Sequence, residues 1–135
     1  MKKFEILEHK ADLKIRAFGK TKEELFQNML LGMSESQKPE IKSKGKIKRE
    51  IKIKSLDLPF LLVDFLSEVL YLTQVNKETY SSIRFKKFSK NELEAELLGQ
   101  KIKRFNEDIK AVTYHGLEIS QKKDNILEAV VLFDI

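Results

Sequence analysis

The stretch LPFLLVDFLSEVLYLTQV, from Leu58 to Val75, constrains the fold more than any other. It is apolar almost all round, apart from a stripe of Asp64, Ser67 and Glu68, and a helix of that kind has to be covered over most of its circumference. Asp57 is placed to cap its start, and Pro59 fits its first turn, where no backbone N–H is required. The helix is expected to run to about Gln74. Asp64 and Glu68 in its middle argue against a membrane span, so this helix is expected at the centre of a folded core.

What could cover it is written in the rest of the chain as alternation. Phe4 and Ile6 share one face of a short strand, and Leu13, Ile15 and Ala17 share one face of a second that ends at Gly19. Thr21 and Glu24 form a capping box, and behind it Leu25, Phe26, Met29, Leu30 and Met33 mark one face of another helix. Ser34 to Gly45 reads as a polar loop. In Lys46 to Lys54, Ile47, Ile51 and Ile53 point inward and Lys46, Lys48, Lys52 and Lys54 outward, which makes a strand with a basic face.

Further strand signals span Ser82 to Phe88, Glu92 to Leu98, Ile109 to Tyr114, Leu117 to Lys122 and Ile126 to Phe133, with Asn91 and Asp124-Asn125 at turns and Gly99 to Asp108 as a charged connection. The order strand-strand-helix-strand-helix-strands is not that of a doubly wound parallel fold. It predicts an α+β two-layer sandwich: a mostly antiparallel sheet with both helices packed against it, in one domain over residues 1–135.

Composition removes several function classes. The chain has 135 residues and no cysteine, which excludes disulfides, thiol catalysis and cysteine-ligated zinc. No phosphate-binding glycine loop or nucleophile elbow occurs. The beginning shows no signal-peptide pattern, so a cytoplasmic location is expected, with no membrane partner. Twenty-six Lys and Arg against 21 Asp and Glu leave a net charge of +5, a mild excess that suits a solvated lysine-rich surface as well as an RNA partner.

The end of the sequence, Ala129-Val130-Val131-Leu132-Phe133-Asp134-Ile135, is a buried-strand pattern closing on a carboxylate beside the terminal one. Like charges so placed repel. Either this end frays into solvent or a cation holds it. If the strand opened by Asp12 pairs beside the last one, three carboxylates converge, and hard oxygen donors of that kind suit Ca²⁺, Mg²⁺ or Mn²⁺.

LEHKADLKIRAFGKT (Leu7 to Thr21), FLLVDFLSEVLYL (Phe60 to Leu72), KAVTYHGLEI (Lys110 to Ile119) and the terminal LFDI together resemble the archease family, in order and spacing, over essentially the whole chain. The resemblance implies a non-catalytic activator of the RtcB-type tRNA-splicing RNA ligase. Such an activator promotes guanylylation of the ligase and its multiple turnover, can broaden its use of nucleotides, and can meet tRNA indirectly, through the ligase. A chaperone-like role has also been attached to the family.

The resemblance further implies a divalent cation, Ca²⁺ before Mn²⁺ or Mg²⁺, at Asp12, Asp134 and Ile135, and it makes Lys110 an activating residue. His9 and His115 join Lys110 as candidates for contact with the partner. Lys10, Lys14 and Phe105 depart from the family pattern, which more often has threonine, glycine and an Arg-His continuation there. Within KAVTYHGLEI, Lys110, Val112 and Tyr114 share a face, and Gly116 suits a bulge that lets His115 leave the ladder. Two other readings compete: a free-standing RNA-binding module using the basic strand 46–54, and a metal-dependent phosphohydrolase on the same carboxylates.

Overall fold

The computed structural model describes residues 2–8, 11–43 and 45–135. Among them two α-helices and eight strands form, and every strand pairing between them is antiparallel. The class is the expected α+β, although the strands divide between two four-stranded sheets. In the first, β1 (Phe4–Glu8), β2 (Asp12–Gly19), β8 (Leu127–Asp134) and β7 (Ala111–Gln121) lie side by side in that order. In the second, the long β6 (Glu92–Phe105) pairs with β4 (Ile47–Lys54) and β5 (Glu78–Phe88), and its far end takes β3 (Pro39–Ile41).

Helix α1 (Lys22–Ser36) starts where Thr21 accepts a hydrogen bond from the Glu24 N–H at 3.1 Å. The Glu24 carboxylate reaches back to the Lys20 N–H, one residue before the cap, rather than to Thr21 itself. Gly19 permits the abrupt entry, because a Cβ there would lie 2.4 Å from the Leu25 nitrogen. Leu25, Phe26, Met29, Leu30 and Met33 are fully buried against β2 and β5. Gln27 adds polar stitching beside a bulge in β5, donating to the Ser81 carbonyl at 2.7 Å and accepting from the Ile83 N–H at 2.8 Å.

Helix α2 (Leu58–Asn76) is capped by Asp57, which accepts from the Phe60 N–H at 3.0 Å, and it ends on Lys77 in the left-handed region. By length and composition it could cross a membrane, yet Leu61, Leu62, Val63, Phe65, Leu66, Val69 and Leu70 are buried, and it packs on β7, β5 and β4. Removing side chains of this size from water contributes about 1.5–3 kcal/mol each. Both helices feed one core with Ile15, Tyr80, Leu93, Leu97, Val131 and Phe133.

Three sequence expectations need correction. Ser34 to Gly45 is not all loop, since α1 continues to Ser36 and β3 follows. Gly99 to Asp108 is not a connection through its length, since β6 runs on to Phe105; Ile102 stays buried while Lys101 and Lys103 face solvent, so the alternation continues under the charge. The two strands expected within 109–122 are one bulged strand, with Ile109 just outside it.

Candidate functional site

The ends of three strands meet at one rim of the first sheet. Asp12 opens β2 and stands opposite Asp134 at the end of β8, while Ala111, at the start of β7, stands opposite Asp134 from the other side. The pairing on which convergence of the carboxylates depended is therefore present. Just before Ala111, the Lys110 N–H donates to the Asp134 carbonyl at 2.7 Å, which ties the start of β7 to the end of β8 and leaves the Lys110 side chain in solvent.

Asp12 and Ile135 line the same cavity, of about 320 Å³. Ile6, Leu13 and Ile109 form apolar walls, and Glu35, Glu107 and Asp108 join Asp12 in giving it an acidic lining. Among the described residues, one lysine lines it, Lys38, which is paired with Glu107 at 3.7 Å. The Asp12 Oδ1 atom is inaccessible to water and has no hydrogen-bond partner among the described residues. A buried carboxylate oxygen without a donor or counter-charge is costly, and a hard cation would satisfy it. Among the described residues, no three His, Cys, Asp or Glu side chains form a metal cluster. Asp12 and Asp134 stand in register, so a cation held there would meet at most this pair of side-chain carboxylates and would need a further oxygen, such as one from the main chain at Ile135.

Of the residues expected around this rim, His9 and Lys10 lie outside the described residues. His115 lies apart. Thr113 pairs with Leu132 and Glu118 with Val130, so Tyr114 to Leu117 stand opposite Val131 alone and bulge from the ladder. The bulge turns on Gly116, whose φ is 60°, a conformation that glycine adopts without steric cost. Thr113 Oγ1 bridges its base, donating to the Leu132 carbonyl at 2.9 Å and accepting from the His115 N–H at 3.3 Å. By strand rise, His115 is displaced about 10 Å along β8 from Asp134. The structure brings Asp12, Asp134, Ile135 and the Lys110 backbone together, and it leaves His115 on a separate exposed feature.

Two groups carried no signal in the sequence. Tyr114 donates from its hydroxyl to Asp64 on α2, and its ring lies 5.1 Å from that of Phe60. The Asp64 carboxylate also accepts from the Ser55 hydroxyl at 2.5 Å, and the bond to Asp64 raises the Tyr114 pKa above its ordinary value. Elsewhere, Glu78 is enclosed within the second sheet with Arg49, Tyr80 and Lys101.

The basic strand looks different in three dimensions. Lys52 and Lys54 of β4 stand opposite Glu94 and Glu92 of β6, and Glu50 stands opposite Glu96. Lys52 pairs with Glu94 at 3.3 Å, and from β5 Lys87 pairs with Glu92 at 3.6 Å and Lys86 with Glu50 at 2.6 Å. The face is a mosaic of both signs rather than a basic patch, and a polyanion gains little from it.

A model of the archease protein family matches residues 4–135. The protein archease of Methanosarcina barkeri is 41% identical, with 99% of this chain and 97% of that one covered. That of Pyrococcus furiosus is 31% identical with both chains wholly covered. Among solved structures, the solution structure of Methanobacterium thermoautotrophicum protein 1598 is similar with a TM-score of 0.74 and 26% identity over the whole of both chains. The crystal structure of an archease from Thermotoga maritima, described as a possible chaperone, shares the fold at a TM-score of 0.66 and 22% identity, over 96% of this chain and 94% of that one. Carried by a family match over nearly all of its length and by relatives of the same fold, the chain belongs to the archease family.

Proposed function

We infer that this protein is a non-catalytic activator of an RtcB-type tRNA-splicing RNA ligase, with Asp12, Asp134 and Ile135 holding a divalent cation and Lys110 beside them meeting the partner. Family membership supports the activator role. The observation that carries the site is the Asp12 Oδ1 atom, buried and without a partner among the described residues, on a residue in register with Asp134. Ca²⁺ suits this oxygen-only set, with Mn²⁺ and Mg²⁺ as alternatives. When bound, such a cation supplies a fixed positive charge to phosphate or carboxylate groups of a partner.

The chain's own residues supply position. The bond from the Lys110 N–H to the Asp134 carbonyl holds the start of β7 beside the end of β8, and the exposed Lys110 side chain leaves the main chain there. Groups so arranged lower a partner's barrier through orientation and electrostatics, without a covalent step on this chain. The ligase's nucleotide pocket is the destination this reading gives them.

The cation is tested by calorimetric titration of Ca²⁺. Asp12→Asn and Asp134→Asn should each weaken binding at least about tenfold, since the loss of a direct donor exceeds that of a supporting contact. Unchanged affinity in both variants contradicts the site. Activation of the ligase is tested separately, by transfer of labelled GMP.

A further inference from the structure

Helix α2 is covered by strands on one side only. Its other side carries Phe60, Asp64, Ser67, Glu68, Tyr71 and Val75, whose three- and four-residue spacings put them on one face. Tyr71 and Val75 are 56% and 59% exposed, and next to this face stand Leu56, 85% exposed, and Tyr114 from the β7 bulge, 49% exposed. Exposed apolar side chains are unremarkable singly; a group of them along one helix marks an interaction surface. Aromatic residues are also the side chains that most often anchor protein interfaces. Tyr114 is held in advance by Asp64 and the Phe60 ring, which lowers the entropy lost on binding.

The charge pattern selects the occupant. Leu56, Phe60 and Tyr114 lie at one end of the face and Tyr71 and Val75 at the other, with the carboxylates of Asp64 and Glu68 between them. A second copy packed on this face, in either direction, would set these carboxylates against their own counterparts. A nucleic acid or an anionic lipid surface would meet the same repulsion. We propose that the exposed face of α2, with Tyr114 of the β7 bulge, docks an amphipathic helical segment of a partner protein whose apolar side chains flank Lys or Arg. Apolar anchors at helical spacing then cover Phe60 and Tyr71, and the basic side chains reach Asp64 and Glu68. The surface is separate from the cavity at Asp12, and the proposal stands whether or not a cation binds there.

The test uses fluorescence anisotropy with a labelled helical peptide that has leucines along one face and two lysines between them, and an analogue with glutamates for the lysines. The intact protein should bind the lysine peptide at least about fivefold more tightly, the scale of an ion pair at a partly exposed site. Glu68→Lys should remove that preference, because Asp64 then faces the peptide beside a new positive charge, and Tyr71→Ser should weaken both peptides while circular dichroism shows the fold unchanged. Equal binding of the two peptides, or lysine-peptide binding unaffected by both substitutions, overturns the proposal. So does sedimentation showing a dimer that Tyr71→Ser dissociates, which would assign the face to a second copy.

Discussion

Glu78 has no solvent-exposed side-chain surface, yet its carboxylate has no lack of donors. Arg49 donates to it through Nε and Nη2 at 2.9 and 2.8 Å, the Tyr80 hydroxyl at 2.6 Å, and the Lys101 ammonium stands at 3.4 Å. The Arg49 hydrogen bonds hold the Glu78 carboxyl down to about 2 against an ordinary 4.5, outweighing the burial that would raise it. Burial, followed by the bond to Glu78, pushes the Tyr80 hydroxyl upward. A depressed carboxylate pKa contributes stability that is fully present above the unfolded value and lost as pH falls through the folded one. Denaturant titrations should therefore show stability falling between pH 4.5 and about 2, with a smaller fall in Glu78→Gln. An equal fall in both proteins would remove Glu78 from the acid response. None of this was legible in the sequence, because Arg49, Glu78 and Lys101 come from β4, β5 and β6, and only the register of those strands brings them together.

At the scale of elements, what could be read was what depends on neighbours along the chain. The Thr21 and Asp57 caps, the apolar faces of both helices and the alternation of β2, β4 and β8 follow from spacing alone. Where local chemistry is ambiguous, spacing does not decide. Lysines on a strand facing solvent look like lysines in a loop, as in β6 beyond Gly99, and a bulge looks like a turn, as in the middle of β7. Gly116 carried enough information to place that bulge, but Tyr114's partner on α2 depends on how the helix packs. Leu66 tests the reading of α2 as a core element: it is fully buried, and Leu66→Ala should cost about 2–5 kcal/mol. Urea denaturation should show a lower midpoint at an unchanged slope. A loss below about 1 kcal/mol, the range of surface substitutions, would mean that α2 is not packed as described.

Over the whole molecule, the first sheet brings two distant parts of the sequence into register, with Asp12 beside Asp134 and Lys110 tied to the latter. The net charge of +5 is not spread evenly: the basic strand is countered by β6 glutamates, and most of the described charged residues lining the cavity at Asp12 are acidic. That distribution disfavours the basic strand as a broad surface for RNA. The candidate carboxylates were legible as two strand ends whose meeting was conditional, and the unpartnered Asp12 oxygen and the cavity around it appear only once the strands pair. The central claim is that this rim activates a ligase without reacting itself, and transfer of labelled GMP to the RtcB-type ligase tests it most directly. Substoichiometric wild-type protein should raise the rate at which the ligase is labelled, and Asp12→Asn and Lys110→Ala, still folded, should lose that effect. Label on this protein instead of the ligase, or full activation by both variants, would contradict the account.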